Sequence, residues 1–443
     1  MKKRNTSLAW LIGITLALPG LTINTASAME LVPTIEDAIL HNPEYREQVK
    51  IYQGIEADKR GAQGSWYPTI DLAAGIGLEE TQRPGQDSTS MTRREASIAL
   101  TENLFEGFRT ESEIERQQAR LDASAYIVEA TANQIALSMA EAYVNLLKEQ
   151  ELMRLEEQNQ KTHQRILDQI MQRSDAGIGN QVEVDQAKAR LALANSNLMS
   201  ARNNYEDSLA KFQRILGRMP DNDLIKYEAN FSFPETLDEA TNIALLNHPQ
   251  LRSSNADISE AFAQHKTARS AFYPRVDLEI QKTIDDNING VAGINENFQA
   301  MLRMDYNLYN GGKDMAERER TAAAVQEAAE VRNNARRQTI ENLRFAWNAK
   351  QFLGEQMTYS QEHIKLTYET LEGYRKQFSL GRRSLLDLLN TEDEYNTALR
   401  TLVSNEADYL IAQFRILNGM GTLLQALQLN VNYAEVETDY SNQ

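Results

Sequence analysis

The sequence predicts an α+β membrane protein, mostly long α-helices, whose few strands must be pooled between subunits. Three observations carry that expectation. The stretch from Arg109 to Ser174 runs 66 residues without a glycine or proline, which as helix would reach roughly 100 Å, more than a compact domain holds. Four segments alternate apolar and polar residues with the period of a strand. From residue 29 onward the chain reads as two copies of one unit.

Lys2, Lys3 and Arg4 precede an apolar run from Leu8 to Leu18, and Ala26-Ser27-Ala28 has the small-x-small spacing of a signal-peptidase site. Export with cleavage after Ala28 is the expectation, because 11 apolar residues fall short of the roughly 20 a spanning helix needs. No later stretch approaches ~18 consecutive apolar residues, so any spanning must be by strands. The absence of cysteine excludes disulfides, thiolate metal sites and the lipid-bearing cysteine of a bacterial lipoprotein. Against 63 acidic residues stand 46 basic ones, and loss of Lys2, Lys3 and Arg4 with the signal leaves 43 and a net charge of −20. That balance argues against a nucleic-acid partner and suits a water-filled, cation-tolerant interior.

The duplication sets the domains. Ala38-Ile39-Leu40-His41-Asn42-Pro43 recurs as Ala244-Leu245-Leu246-Asn247-His248-Pro249, and Tyr67-Pro68 with Asp71-Leu72 recurs as Tyr273-Pro274 with Asp277-Leu278, at an offset of 206. Further on, Asn103-Leu104-Phe105 matches Asn307-Leu308-Tyr309 and Gly177 matches Gly381, now at 204. The expected division is a signal peptide at 1–28, a first half at 29–218, a linker at 219–235 holding Pro220 and Pro234, a second half at 236–427 and a tail at 428–443. Each half reads as helix, strand, strand, helix, helix.

In the first half a helix over Glu44 to Trp66 is ended by Tyr67-Pro68, since the residue before proline is pushed out of the helical region. Ile70, Leu72, Ala74, Ile76 and Leu78 then alternate with Asp71, Ala73, Gly75, Gly77 and Glu79. A turn over Arg83 to Thr92 leads to a second strand through Ala96, Ile98, Leu100 and Leu104. The long helix follows, with Ile114, Leu121, Val128, Ile135 and Ala142 seven apart and Ala125, Ala132, Met139, Leu146 and Met153 as the interleaved row, a coiled-coil seam. Gln181 to Leu216 is a third helix. Its 36 residues and the 23 of Glu44 to Trp66 together nearly match the long helix, so the two could stack end to end beside it.

In the second half Val276, Leu278, Ile280 and Ile284 alternate, a polar loop spans Asp285 to Asn297, and Ala300, Leu302, Met304, Tyr306 and Leu308 alternate in turn. From Lys313 the chain is helical again, with Gly354 and Gly373 the only interruptions before Phe378. Four strands of about ten residues match the outer-membrane pattern. They cannot close a barrel alone, and an open edge in lipid is not viable, so two protomers would supply eight strands and three would supply twelve.

The export signal, the tandem repeat, Tyr67-Pro68 and Tyr273-Pro274, Leu104-Phe105-Glu106-Gly107 and Leu308-Tyr309-Asn310-Gly311-Gly312 before the long helices, and Gly381-x-Arg383-x-x-x-Asp387 together resemble the TolC family of outer-membrane efflux and secretion ducts. The resemblance covers Met29 to about Leu427. It implies a homotrimer in the outer membrane, with a shared 12-stranded barrel and a periplasmic coiled-coil tube. It further implies a periplasmic adaptor at the tip, an inner-membrane ABC transporter as energy source, and exported protein or small-molecule cargo.

The family's tip is closed by inward-coiled turns, which fall here at Gly177 and Gly381. The positions matching its latch are Glu183 and Arg383, and Asp387 matches an acidic ring at the entrance. Asn390 stands where some members carry a second aspartate, and Phe378 where some carry a tyrosine. The resemblance therefore implies a tip less cation-selective and less tightly latched than theirs.

His41, His163, His248, His265 and His363 show no metal spacing, and no phosphate loop or nucleophile elbow occurs. The expectation is a conduit without cofactor or catalytic residue. His41 and His248 read as turn or capping residues; Trp66, Tyr67 and Tyr273 read either as membrane-interface anchors or as junction packing. Missing lipidation and the short tail lean toward type I protein secretion over small-molecule efflux, while a periplasmic coiled-coil scaffold without a pore is the reading if the strands are soluble.

Overall fold

The computed structural model describes residues 29–85, 87–220 and 223–430. The signal segment, most of the tail, and Asp221 and Asn222 of the linker lie outside the described residues.

The first half comprises α1 (Leu31–His41), α2 (Pro43–Gly64), β1 (Thr69–Thr81), β2 (Thr89–Glu106), α3 (Arg109–Asp175) and α4 (Gln181–Leu216). The second comprises α5 (Leu237–Asn247), α6 (Pro249–Arg269), a 3-10 turn at Ser270–Phe272, β3 (Arg275–Asp286), β4 (Ile294–Asp305), α7 (Lys313–Ser379) and α8 (Leu385–Met420), followed by α9 (Leu423–Ala426). The halves match in length: α3 and α7 are 67 residues each, and α4 and α8 are 36 each.

The helices pack side by side in one layer. The upper part of α3 lies between α2 and α6, tied by Arg120 to Asp58 (3.1 Å) and by Lys266 to Glu115 (2.6 Å). Its lower part lies between α4 and α8, tied by Arg202 to Glu157 (3.5 Å) and Arg400 to Glu156 (2.7 Å). Short α1 touches both α2 and α4, and α5 touches both α6 and α8, so each pair of shorter helices is stacked along a long one. α7 packs on α6 and α8 and closes the layer on one side. It continues through Gly354, where a Cβ would sit in ordinary contact, 3.4 Å from the Tyr409 ring of α8.

The core lies at mid-length, where α1 and α5 wedge in. Leu31, Ile35 and Tyr45 pack with Val128, Ile135, Met139, Phe212, Leu343, Phe414 and Leu417. The segment joining the halves is part of this core rather than a free linker, with the Phe231 and Tyr227 rings 5.4 and 5.9 Å from that of Phe414. The Tyr143 hydroxyl lies 2.7 Å from the carbonyl oxygens of both Met29 and Ile225, donating to one at a time. Burial pushes its pKa up to about 12.

The sheet is antiparallel in the order β1-β2-β3-β4, leaving β1 and β4 as open edges. Its register places Leu72, Ile98, Lys282 and Phe298 in one cross-strand row, and Ile70, Leu100, Ile280 and Ala300 in the next. Even-numbered residues therefore make one mostly apolar face. The odd-numbered face is mostly polar or small, with Met91 and Met301 as its large apolar residues. β2 begins at Thr89, earlier than alternation alone suggested, because Thr89 to Arg93 pair with the end of β1. β4 stops at Asp305, so Tyr306 and Leu308 are not strand residues; the Asn307 side chain accepts from the Tyr309 N–H at 3.0 Å and turns the chain.

Both strand-to-helix junctions use paired left-handed residues, Gly107 (φ 65°) with Phe108 (φ 66°) and Gly311 (φ 63°) with Gly312 (φ 81°). A Cβ on Gly107 would meet Tyr273 at 2.6 Å and the Ser270 carbonyl at 2.7 Å, so glycine is required there. Tyr273 packs edge-on to Phe105 and Phe108 at 6.5 and 5.9 Å. It packs at the junction while 43% exposed, and Trp66 and Tyr67 are more exposed still.

Candidate functional site

Two regions carry the functional geometry: the tip, where α3 turns into α4 and α7 into α8, and the two faces of the sheet. Gly177 (φ 74°) and Gly381 (φ 70°) end the long helices in the left-handed conformation. The next helices start on side-chain caps: Asn180 accepts from the Glu183 N–H at 2.9 Å, and Ser384 from the Asp387 N–H at 3.1 Å. Ile166, Leu167 and Ile170 of α3, Val184 and Ala187 of α4, and Leu385 and Leu389 of α8 form a small apolar cluster just above the turns.

Phe378 packs against that cluster, and the Arg173 guanidinium lies over its ring at 5.0 Å. It helps hold the two helical hairpins together. Asn390 accepts from Arg190 of α4 at 2.7 Å, a second link between the hairpins. Arg383 lies over the Tyr374 ring at 3.9 Å, with its Nε 3.1 Å from Asp387 Oδ2. That N–H does not point at the carboxylate and has no hydrogen-bond partner, so the contact is coulombic. Arg383 and Glu183 are not joined within the protomer: among the described ion pairs Arg383, in the turn before α8, is held by Asp387 in the first turn of that helix.

Above the tip lies a buried polar layer that the apolar pattern did not reveal. Arg400 donates to Glu156 at 2.7 Å, Asn159 donates to the other Glu156 oxygen at 3.2 Å, and Asn396 donates to Asn159 at 3.1 Å. Arg375 of α7 donates to both Glu392 oxygens at 2.9 and 2.8 Å. Burial works against the Arg375 charge, but Glu392 and Glu372 outweigh it and raise its pKa. His163 is buried beside this layer, and its Nδ1 has no partner. Burial and the nearby Arg190 charge lower its pKa against the smaller opposing pull of Asp393 and Glu156. A signal was present in the sequence: residues 149, 156 and 163 continue the heptad row from Ile114, with Glu, Glu and His in place of apolar residues.

The sheet faces differ in kind. On the even face Ile70, Leu72, Ile76, Leu78, Phe298, Leu302 and Met304 are each at least 65% exposed, an apolar surface far too extended to stand in water. Near its loop end Lys282 pairs with Glu296 at 2.6 Å and Arg94 with Asp286 at 3.5 Å, while toward the helical end Glu102 keeps a buried oxygen without a hydrogen-bond partner. The odd face carries a polar ladder, with Arg93 on Glu79 (2.9 Å) and Glu95 (2.6 Å), Arg303 on Glu279 (2.9 Å), and Gln299 on Gln281 (2.8 Å). Lipid on one face and water on the other is the environment this asymmetry fits. Among the described residues no helix is long and apolar enough to cross a membrane, and no acidic or histidine cluster could hold a metal ion.

The model of the outer membrane efflux protein family matches the chain twice, over residues 34–218 and 240–422. The chain belongs to that family. Among its relatives, the outer membrane protein TolC of Escherichia coli is 22% identical, with 95% of this chain and 88% of the relative covered. The outer membrane efflux protein BepC of Brucella suis is likewise 22% identical, covering 85% and 82%. A solved structure of CusC, described in terms of transmembrane channel formation, superimposes with a TM-score of 0.80 over 88% of this chain and 92% of that one, at 16% identity. As an outer membrane efflux family member this chain is an outer-membrane channel protein.

Proposed function

We propose that three copies of this chain, each built of halves at 29–218 and 236–427, form the outer-membrane duct of a type I secretion machine. In this reading twelve strands close a barrel and the helical layers close a periplasmic tube. An adaptor docks at the tip, and an inner-membrane ABC transporter drives an unfolded protein through. The observation that carries the reading is that both layers of the protomer stop at open edges. The sheet ends at unpaired β1 and β4. The helical layer ends on α7 with Phe345, Phe352, Tyr359 and Leu366 exposed, each seven residues after the last. An apolar heptad row facing water is half of a seam, and the next protomer's α2 and α4, with Ile51, Leu193 and Met199 exposed, supply the other half.

At the tip, Arg383 and Asp387 of three protomers converge around the axis. Closure is held by the apolar cluster with Phe378 and by the Arg190–Asn390 link, and Arg383 reaches Glu183 of a neighbouring copy only by leaving Asp387. The cysteine-free sequence supports a secretion duct over a lipid-anchored drug-efflux duct. Small-molecule efflux is the second reading, favoured by the kinship with an outer membrane efflux protein. A deletion strain separates the two: loss of one secreted protein with solvent and drug tolerance intact supports type I secretion, and the reverse supports efflux.

A further inference from the structure

The β1–β2 hairpin outruns its neighbour. β2 pairs with β3 only from Arg94 onward, while Thr89 to Arg93 pair with Gly77 to Thr81 alone. At about 3.4 Å per residue the hairpin extends roughly 17 Å beyond the last β2–β3 pair, Arg94 with Asp286. That turn does not point away from the sheet. Its residues 287–293 lie against the polar face of the projecting hairpin, across β2, and bond to β1 itself.

The Gly290 N–H donates to Glu79 Oε1 at 3.0 Å, and Glu79 is preset by Thr81 on the same oxygen (3.0 Å) and by Arg93 on the other (2.9 Å). Arg83 donates to the Asn289 carbonyl at 2.6 Å, and Asn287 to the Thr92 carbonyl at 3.0 Å. Gly290 (φ 73°) approaches so closely that a Cβ would lie 3.0 Å from that of Thr81. The turn is a compact unit, with Asn287 N–H to Gly293 O at 3.1 Å and Gly293 N–H to Asn287 Oδ1 at 3.0 Å.

We propose that residues 287–293 form a strap over the outer mouth of the duct. Three straps, one per protomer, set the largest solute that crosses that mouth, as a constriction separate from the periplasmic tip. This rests on the polar face being the lumen. The straps are held by a few exposed hydrogen bonds to Glu79, Arg83 and Thr92, which a chain arriving from below can displace. A large solute outside meets them closed.

The chain has no cysteine, so Ser97→Cys places a single thiol on the polar face below Glu95. Intact cells bearing this variant are treated with a small membrane-impermeant maleimide and with polyethylene-glycol maleimides of increasing mass. Added Glu79→Ala and Arg83→Ala substitutions should speed labelling by the large reagents at least tenfold and leave the small one unchanged. Arg83→Ala alone, in an exposed turn outside the strand ladder, should act in the same direction if the double change prevents assembly. Equal large-reagent rates with and without the ties overturn the strap. No labelling of assembled protein by even the small reagent overturns instead the assignment of the polar face to an open lumen.

Discussion

Within the proposed gate Arg383 has Asp387 as its ion-pair partner in the protomer, and that pairing sets the charge at the tip. Paired with Asp387 at 3.1 Å, it offsets the acidic ring that three Asp387 side chains would otherwise make. Asp387→Ala should therefore lower the cation preference of single channels in planar bilayers. Arg383→Ala should raise both cation preference and conductance, by freeing Asp387 and loosening the turn. Unchanged selectivity in both variants would remove these residues from the gate. His163 gives a pH dependence. Burial first, then Arg190, lowers its folded pKa below the ordinary 6.5, so the unfolded chain binds the proton more readily. Its contribution to stability is full above about pH 6.5 and is lost as pH falls below it. The thermal midpoint should drop between pH 7 and 5, with a shallower slope in His163→Gln; an identical slope would contradict the assignment. Of the tip residues, the two turns and the helix-start carboxylates were legible, because glycine placement and caps are local. The Arg190–Asn390 and Arg375–Glu392 contacts were not, because they depend on how one helix is rotated against another.

α3 shows how far a pattern reaches. Its heptad row gave its length and seam, since 66 residues free of glycine and proline leave helix as the only regular choice. The row also turns polar at Glu149, Glu156 and His163 and apolar again at Ile170, where the tip cluster begins. Buried pairs such as Arg400–Glu156 add little net stability but are costly to leave half made, so they fix which faces of α3 and α8 meet. α1 and α5 were not foreseen as helices, although Leu31, Ile35, Ala38 and Ile39 have helical spacing, because Asn42-Pro43 drew the reading toward a turn. The start of β2 was not legible for another reason: Thr89 to Arg93 hold one apolar residue, Met91, and no alternation, and only pairing with β1 makes them strand. For α7 the prediction concerns its free side. Phe352→Glu should place three carboxylates in apolar seams, each costing several kcal/mol if unpaired. Protomers should then replace trimers in size-exclusion chromatography in detergent; a stable trimer would move the seam elsewhere.

The whole molecule is half-finished as one chain. Its sheet has an apolar face with no core behind it and two unpaired edges, and its helical layer ends on an exposed apolar row of α7. The core binds the halves at mid-length, where Tyr143 ties the first residues and the connecting segment to α3, so the protomer is a stable stave of a larger tube. That such closure requires other copies was legible from four strands and no spanning helix. That it takes three came from the resemblance to known ducts, because strand number per chain does not by itself fix the number of chains. The most direct test is the mass and shape of the detergent-extracted outer-membrane protein, by light scattering and negative-stain imaging. The account predicts a trimer with a tube projecting roughly 100 Å beyond the micelle. A monomeric or dimeric rod carrying no detergent would contradict it.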